Sequence, residues 1–373
     1  MNGLNPLESK HAMSIKSDQY DCGFVEMQGY RNTMEDESLI CYQSEQQEGE
    51  YLETTCFGVF DGHGGSEASK FVKEHLVSTL SLPSHILTSA DHPLIVHQIE
   101  LLDQAFRTSC DHDNHASRAG TTCCVALFQT CGTSKQLTIV NIGDSRALLY
   151  SKEGTLLCVT EDHKPDNDRE TTRIQEAGGL VVCGRVNGQL AVSRAIGDFN
   201  YKMQRLIPEA EQWVVSTPDI YTWSIPDESR LLVCCDGIFE KLSNEQVIRF
   251  LHALVTLNPG MSPKDQMLHL VEYALESGSK DNMTAMLTVF TSDKNDSINS
   301  TDSNNSSNST NASSTSPSSS SPIRHIESHY EYIKDPEKKI KAQSDEQFRR
   351  IAKIFKERQH TFKYINNLKT MEN

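Results

Sequence analysis

The sequence predicts an α+β sandwich, and three observations carry that expectation. Runs of β-prone residues dominate the first half of the chain, amphipathic helix patterns are inserted between later strands, and 373 residues with 37% hydrophobic content suffice for one large domain plus a tail. Cys56-Phe57-Gly58-Val59-Phe60 is the first apolar run that ends on candidate chemistry. Ser66 then opens a helix in which Ala68, Phe71, Val72, His75, Leu76 and Leu80 keep helical spacing, and Leu94, Ile95, Ile99, Leu102 and Phe106 mark a second one. Both helices should cover a sheet. Leu137 to Ile142 and Ala147 to Tyr150 read as strands, and Arg169 to Ala177 as a helix stopped by Gly178-Gly179. Leu231 to Cys235 and Thr284 to Phe290 are further strands. Between them Ser243-Asn244-Glu245-Gln246 has capping-box form before Val247, Phe250, Leu251 and Leu254, and Ser262-Pro263 opens a helix through Leu275.

The chemistry-bearing residues sit where these elements end. Phe60-Asp61-Gly62-His63-Gly64-Gly65 brings a carboxylate and an imidazole out of a strand end, with glycines that let the backbone turn sharply. Asp236-Gly237 follows one apolar run, Asp281-Asn282 precedes another, Gly143-Asp144-Ser145 lies between two, and Glu35-Asp36 adds a further acidic pair. A lone aspartate at a strand end is usually a turn former or helix cap. So many acids in the same kind of position point instead to one pocket. Acids crowded there would repel one another unless cations lay between them, and oxygen donors without a matching set of His or Cys suit Mg²⁺ or Mn²⁺. Two such ions held about 4 Å apart by a shared carboxylate would compensate the charge and activate water. Asp61 is the candidate for the shared ligand.

Eight stretches now resemble the type 2C metal-dependent protein serine/threonine phosphatases. They are Arg31-Asn32-Thr33-Met34-Glu35-Asp36, the Asp61-Gly62-His63 turn, Gly120-Thr121-Thr122, Asn141-Ile142-Gly143-Asp144-Ser145-Arg146, Asp162-His163-Lys164-Pro165, the long run from Gly184 to Phe199, Cys235-Asp236-Gly237-Ile238-Phe239, and Ser279-Lys280-Asp281-Asn282-Met283-Thr284. The resemblance covers roughly residues 20 to 291, in the family's order. It implies two packed antiparallel sheets flanked by helices, with the metals at the sheet edges. By the same resemblance Asp61 bridges two metals and Gly62 offers its carbonyl. Glu35 binds the second metal with Asp36 close behind, and Asp236 and Asp281 complete the first. Arg31 would hold the substrate phosphate, and His63 would protonate the departing seryl or threonyl oxygen while a metal-bridging hydroxide attacks phosphorus. Asp144 and Glu240 would form a third metal position, Glu240 standing where many members carry Asp. Asp166 to Tyr201 would be a mobile flap, on which Arg185 either meets the substrate or is ion-paired scaffold; Arg194 is expected to be scaffold.

These roles agree with elementary chemistry. The planar, permanently charged fork of Arg matches a phosphate, and His has the pKa suited to donating a proton to an alkoxide. Other motifs lack their context. Gly143-Asp144-Ser145-Arg146-Ala147 has no second Gly of a nucleophile elbow, and no P-loop follows a strand. His163-Lys164-Pro165 is read as a loop leading into a helix rather than a phosphate contact.

Composition sets the surroundings. A formal charge of −16 opposes binding along a nucleic-acid backbone. Eleven cysteines without Cys-x-x-Cys spacing read as buried free thiols in a reducing compartment, cytoplasmic or nuclear. No run of apolar residues is long enough to span a membrane, and Asn2 stands where myristoylation needs Gly. The expected organisation is an N-terminal arm over 1–19, the catalytic domain over 20–291, a Ser/Asn-rich disordered linker over 292–322 and a helical tail over 323–373. The tail carries +4 against −20 for the rest. Its helix, opened by Asp335-Pro336, is expected to dock on the chain's own body or on a partner. The expected function is hydrolysis of phosphoserine and phosphothreonine in proteins by a monomer using two or three Mg²⁺ or Mn²⁺. A catalytically silent scaffold and a small-phosphoester hydrolase are the alternatives.

Overall fold

The computed structural model describes residues 5–47, 50–110, 118–204, 206–291 and the strand 327–333. The linker over 292–322 and the helix opened by Asp335-Pro336 lie outside these residues, whereas 327–333, within the stretch expected to be a helical tail, is a strand. In chain order the first strands are β1 (Leu7–Lys16), β2 (Tyr20–Gly29), β3 (Glu37–Gln47), β4 (Glu50–Phe60) and β5 (Gly62–His63). Helices α1 (Glu67–Thr79) and α2 (His92–Ser109) follow, then β6 (Gly120–Thr121), β7 (Cys123–Cys131), β8 (Ser134–Ile142), β9 (Arg146–Tyr150) and β10 (Leu156–Val159). After α3 (Asp168–Glu176) come β11 (Val181–Val182), β12 (Arg185–Val186), β13 (Ile196–Gly197), β14 (Asp219–Trp223) and β15 (Arg230–Cys234). The chain continues through α4 (Asp236–Phe239), α5 (Asn244–Leu257), α6 (Pro263–Glu276) and β16 (Met283–Phe290), and β17 (Glu327–Ile333) is the last described strand.

Two antiparallel sheets dominate, in the orders β10-β9-β15-β16-β2-β1-β17 and β14-β8-β7-β4-β3. Alternation along the strands assigns each face. In β15, Leu231 and Val233 point into the layer between the sheets with Phe57, Val59, Ala126 and Phe128, whereas Leu232 and Cys234 pack under Val247, Leu251 and Leu270 of α5 and α6. The outer face of the second sheet is covered in the same way. Val72 and Leu76 of α1 and Ile95, Ile99 and Leu102 of α2 meet Phe60, Val125 and Val140 there. The result is the α-β-β-α sandwich.

Helix ends fall close to where the sequence places them. Ser243 accepts from the N–H of Gln246 while Gln246 closes the capping box, and Ser262 accepts from the N–H of Asp265 with Pro263 at the first turn. Three features lay beyond the sequence reading. A small sheet β13-β6-β5 joins three short segments, β11 and β12 form a two-residue ladder, and β17 pairs with the free edge of β1. The small sheet matters most, because it holds His63.

All eleven cysteines are free, and seven of them are buried. Burial pushes Cys56, Cys123, Cys124 and Cys234 above the usual thiol range, as befits inert core residues. Among the described residues no helix is long and apolar enough to cross a membrane.

Candidate active site

The ends of β4, β5, β8, β15 and β16 open on one cleft of about 520 Å³, lined by Arg31, Glu35, Asp61, Gly62, His63, Asp144, Arg185, Asp236, Asp281 and Asn282 among others. Nine of the eleven residues proposed from the sequence are therefore together. Asp36 sits just behind the cleft, 3% exposed, and Glu240 lies outside it.

Asp61 is the hub of the carboxylates. One ligand atom each from Asp61, Asp144 and Asp236 lies within 4.8 Å of the others, and a second such group joins Asp61 to Asp36 and Cys235. The strand end is pinned from both sides: Asp61 N–H donates to Thr122 Oγ1 at 3.0 Å and Thr122 N–H returns a bond to the Asp61 carbonyl at 2.9 Å. Burial first, and then Asp36, Asp236 and Asp144, push the Asp61 carboxyl well above the ordinary range. Asp236 is pushed up to about 8 by burial and Asp144, and Asp36 to about 7 chiefly by burial.

The donor set fits hard divalent cations. Asp36 Oδ2 accepts from Thr284 Oγ1 at 2.7 Å, but its buried Oδ1 has no hydrogen-bond partner. The crowded acids titrate as though short of positive charge, which a cation would supply. Cys235 is an unsuitable ligand for such an ion. Its thiol, pushed far up by burial and by Asp36, stays protonated and accepts from Thr284 N–H at 3.1 Å. Gly62 admits no side chain, because a Cβ there would overlap the carbonyl oxygen of Glu35.

Asp281 stands beside these two groups rather than within them. Its Oδ2 accepts from Arg31 Nη2 at 2.5 Å and its Oδ1 from Asn282 N–H at 2.8 Å. Burial works against the Arg31 charge, but Asp281 outweighs it and raises the guanidinium pKa. Glu35 lines the cleft with Oε1 held by Thr33 Oγ1 at 2.9 Å. Asn282 organises this corner, accepting from Glu35 N–H at 2.9 Å and donating to the carbonyls of Gln28 and Thr33. Sequence reasoning quoted Asn282 in a motif without giving it this task.

Lys164 lies in a loop, as expected, but makes a contact that the loop reading did not include. Pro165 does lead into α3, yet the Lys164 ammonium bonds Asp144 and lies 3.8 Å from Asp236 Oδ2. Burial disfavours its charge, but Asp144 prevails and raises its pKa. Glu240 spends its carboxylate elsewhere, accepting from Lys280 N–H at 2.8 Å and from Ser279 Oγ at 3.3 Å. The described cleft thus brings Asp144 but not Glu240 to Asp61.

On the segment from Asp166 to Tyr201, Arg185 reaches the cleft wall while its Nη1 bonds the Gln189 carbonyl at 2.7 Å. Arg194 is scaffold, as expected: buried, it meets Glu170 at 2.6 Å and Asp219 at 3.0 Å. His63 bonds Asp198 at 2.6 Å, and burial, which lowers the imidazole pKa, is outweighed by that carboxylate. Asp198 is assigned no role from the sequence, although Ile196-Gly197-Asp198 repeats the Ile142-Gly143-Asp144 pattern.

An α-β-β-α sandwich with a carboxylate-lined cleft at the strand ends defines a class of hard-cation sites, and comparison with known proteins narrows it. The family model described as Protein phosphatase 2C matches residues 20–283. "Probable protein phosphatase 2C 4" of Paramecium tetraurelia is 34% identical over 70% of this chain and 89% of its own length. "Protein phosphatase 2C homolog 2" of Schizosaccharomyces pombe is 34% identical over 76% of this chain and 77% of its own. Among solved structures, a phosphatase from Toxoplasma gondii superposes with a TM-score of 0.66 at 25% identity, covering 76% of this chain and 96% of that one. The chain belongs to the protein phosphatase 2C family.

Proposed function

We propose that this chain hydrolyses phosphoserine and phosphothreonine in protein substrates, with two Mg²⁺ or Mn²⁺ ions in the cleft and a weaker third at Asp144. The observation that carries the reading is Asp61 at the junction of two ligand groups, with Arg31 and His63 in the same cleft. Bound divalent ions supply Lewis acidity toward phosphoryl oxygens and lower the pKa of water.

The chain's own residues do the rest. Asp61, Asp236 and Asp281, with Glu35 and the Gly62 carbonyl, would hold the ions, and Asp36 would steady them from behind. Arg31, permanently charged and 58% exposed, can turn from Asp281 to a phosphate dianion. Arg185 offers a second positive charge in the lining of the same cleft. His63 gives its proton to the departing oxygen, without which an alkoxide would leave poorly. The silent-scaffold alternative has no support in this residue set, since scaffolding requires none of these side chains.

The test is phosphate release from a phosphothreonine peptide with Mg²⁺, with Mn²⁺ and with chelator. Activity restored by either metal and abolished by chelator is expected. Chelator-resistant release would overturn the reading.

A further inference from the structure

We propose that Asp198 is a positioning residue for His63, binding the imidazole through Nε2 so that the Nδ1 proton is the one presented to the leaving oxygen. This rests on the phosphatase reading given above.

The pairing is built by strands distant in sequence. His63 in β5 pairs with Gly120 in β6, and Thr121 and Gly120 pair in turn with Ile196 and Gly197 of β13, directly before Asp198. The small sheet therefore carries the two side chains to opposite edges of β6 and lets them meet over it. They meet above Gly120, where a Cβ would overlap both Asp198 Oδ2 and His63 Nε2. A residue with any side chain at 120 would wedge the pair apart.

Asp198 is also held firmly. It is 3% exposed, its N–H donates to the Ala119 carbonyl at 3.0 Å, and its φ is +52°, a left-handed backbone that few residues other than Gly, Asn and Asp adopt readily. The preceding turn is fixed by Asp103, which accepts from Gly197 N–H at 2.7 Å. By contrast the His63 side chain is 30% exposed and lines the cleft. One end of the contact is thus anchored in the protein and the other faces the substrate side. A fixed acceptor on Nε2 selects the tautomer and the ring orientation, as partners of catalytic histidines do.

In the chemical step an oxygen from water bonds phosphorus as the P–O bond to the serine or threonine oxygen breaks, the electron pair of the broken bond going to that oxygen. The oxygen takes the proton from His63 Nδ1, leaving a neutral ring whose Nε2–H still donates to Asp198. Solvent returns the proton before the next turnover. Asp198 holds the ring through Nε2 and touches no reacting atom.

The experiment compares a phosphothreonine peptide, whose leaving group needs a proton, with an aryl phosphate whose phenolate leaves without one. Asp198→Ala should lower kcat on the peptide by about 10- to 100-fold, a part of what general acid catalysis contributes, while the loss on the aryl phosphate is smaller by about tenfold. Asp198→Asn, whose amide oxygen can still accept from Nε2–H, should recover part of that loss. Gly120→Ala, which keeps the Asp198 carboxylate in the chain but wedges it away from the ring, should show the same substrate ratio as Asp198→Ala. A downfield imidazole N–H proton resonance, assigned by its loss in His63→Gln, should vanish in Asp198→Ala. Equal losses on both substrates, no loss on either, or a resonance that persists without the carboxylate would overturn the proposal. Should the wild-type protein hydrolyse neither substrate, the phosphatase reading fails and the proton-donating role goes with it. The resonance then still shows whether the pair forms.

Discussion

Arg31 Nη2 lies 2.5 Å from Asp281 Oδ2, joining residues 250 positions apart at the mouth of the cleft. The side chain that would bind phosphate is thus held by one that would bind a cation. A cation on Asp281 would compete for the carboxylate and free the guanidinium for substrate, which would couple the two sites through this one contact. Arg31→Ala should raise KM for phosphopeptide more than it lowers kcat. Arg31→Lys should recover only part of the loss, because an ammonium cannot make the bidentate contact. Steady-state kinetics at saturating Mg²⁺ checks this; full recovery by Lys would mean that charge alone matters.

The crowded carboxylates give metal-free protein an unusual pH dependence. Asp61, Asp236 and Asp36 have folded pKa values above their unfolded ones, so between those values the folded chain keeps protons that the unfolded chain has released. Stability in chelator should therefore fall as pH rises from about 4 toward 8. Saturating Mg²⁺, which favours the ionised forms, should remove that fall. Thermal melts with and without chelator across this window read the difference, and parallel curves would contradict it.

Glu170 behaves in the opposite sense. Burial works against its anion, yet Arg194 and Arg173 pull its pKa down to about 2. Its contribution is complete above the unfolded value near 4.5 and is lost as pH falls toward 2. Arg194→Ala would leave a carboxylate that is 1% exposed short of a partner and should cost about 3–5 kcal/mol. Denaturant titration at neutral pH measures it. A cost close to zero would mean that Arg173, Arg169 and Ser193 satisfy the group without Arg194.

Lys164 supplies another readout. Its ammonium already bonds Asp144, so a third cation there must displace it. Lys164→Met should tighten the weakest divalent site while the tighter sites keep their affinity, as followed by titration calorimetry with Mn²⁺. Unaltered isotherms would show that Asp144 is not contested.

How much was legible in the sequence depended on how far apart the partners lay. Local periodicity and caps placed α1, α2, α5 and α6, because the burial that makes those helices is written within each segment. Asp61, Asp236 and Asp281 were recognisable because each ends or begins an apolar run. The order β9-β15-β16-β2 was not, since neighbouring strands come from opposite ends of the chain and register depends on pairing across sheets. Two-residue strands such as β5, β6 and β13 carry no periodic signal at all, so the Asp198 contact they create stayed hidden. Glu240 shows the reverse failure. The family resemblance suggested a ligand, but in the fold its carboxylate accepts from the backbone N–H of Lys280.

The central claim is that Asp61 is shared between two cations. Anomalous diffraction from crystals of the wild-type and Asp61→Asn proteins grown with Mn²⁺ tests it most directly. Two manganese peaks, both within bonding distance of the Asp61 carboxylate and both lost or weakened in Asp61→Asn, are the result this account predicts. Peaks that leave Asp61 uncoordinated, or that persist unchanged in Asp61→Asn, would contradict it.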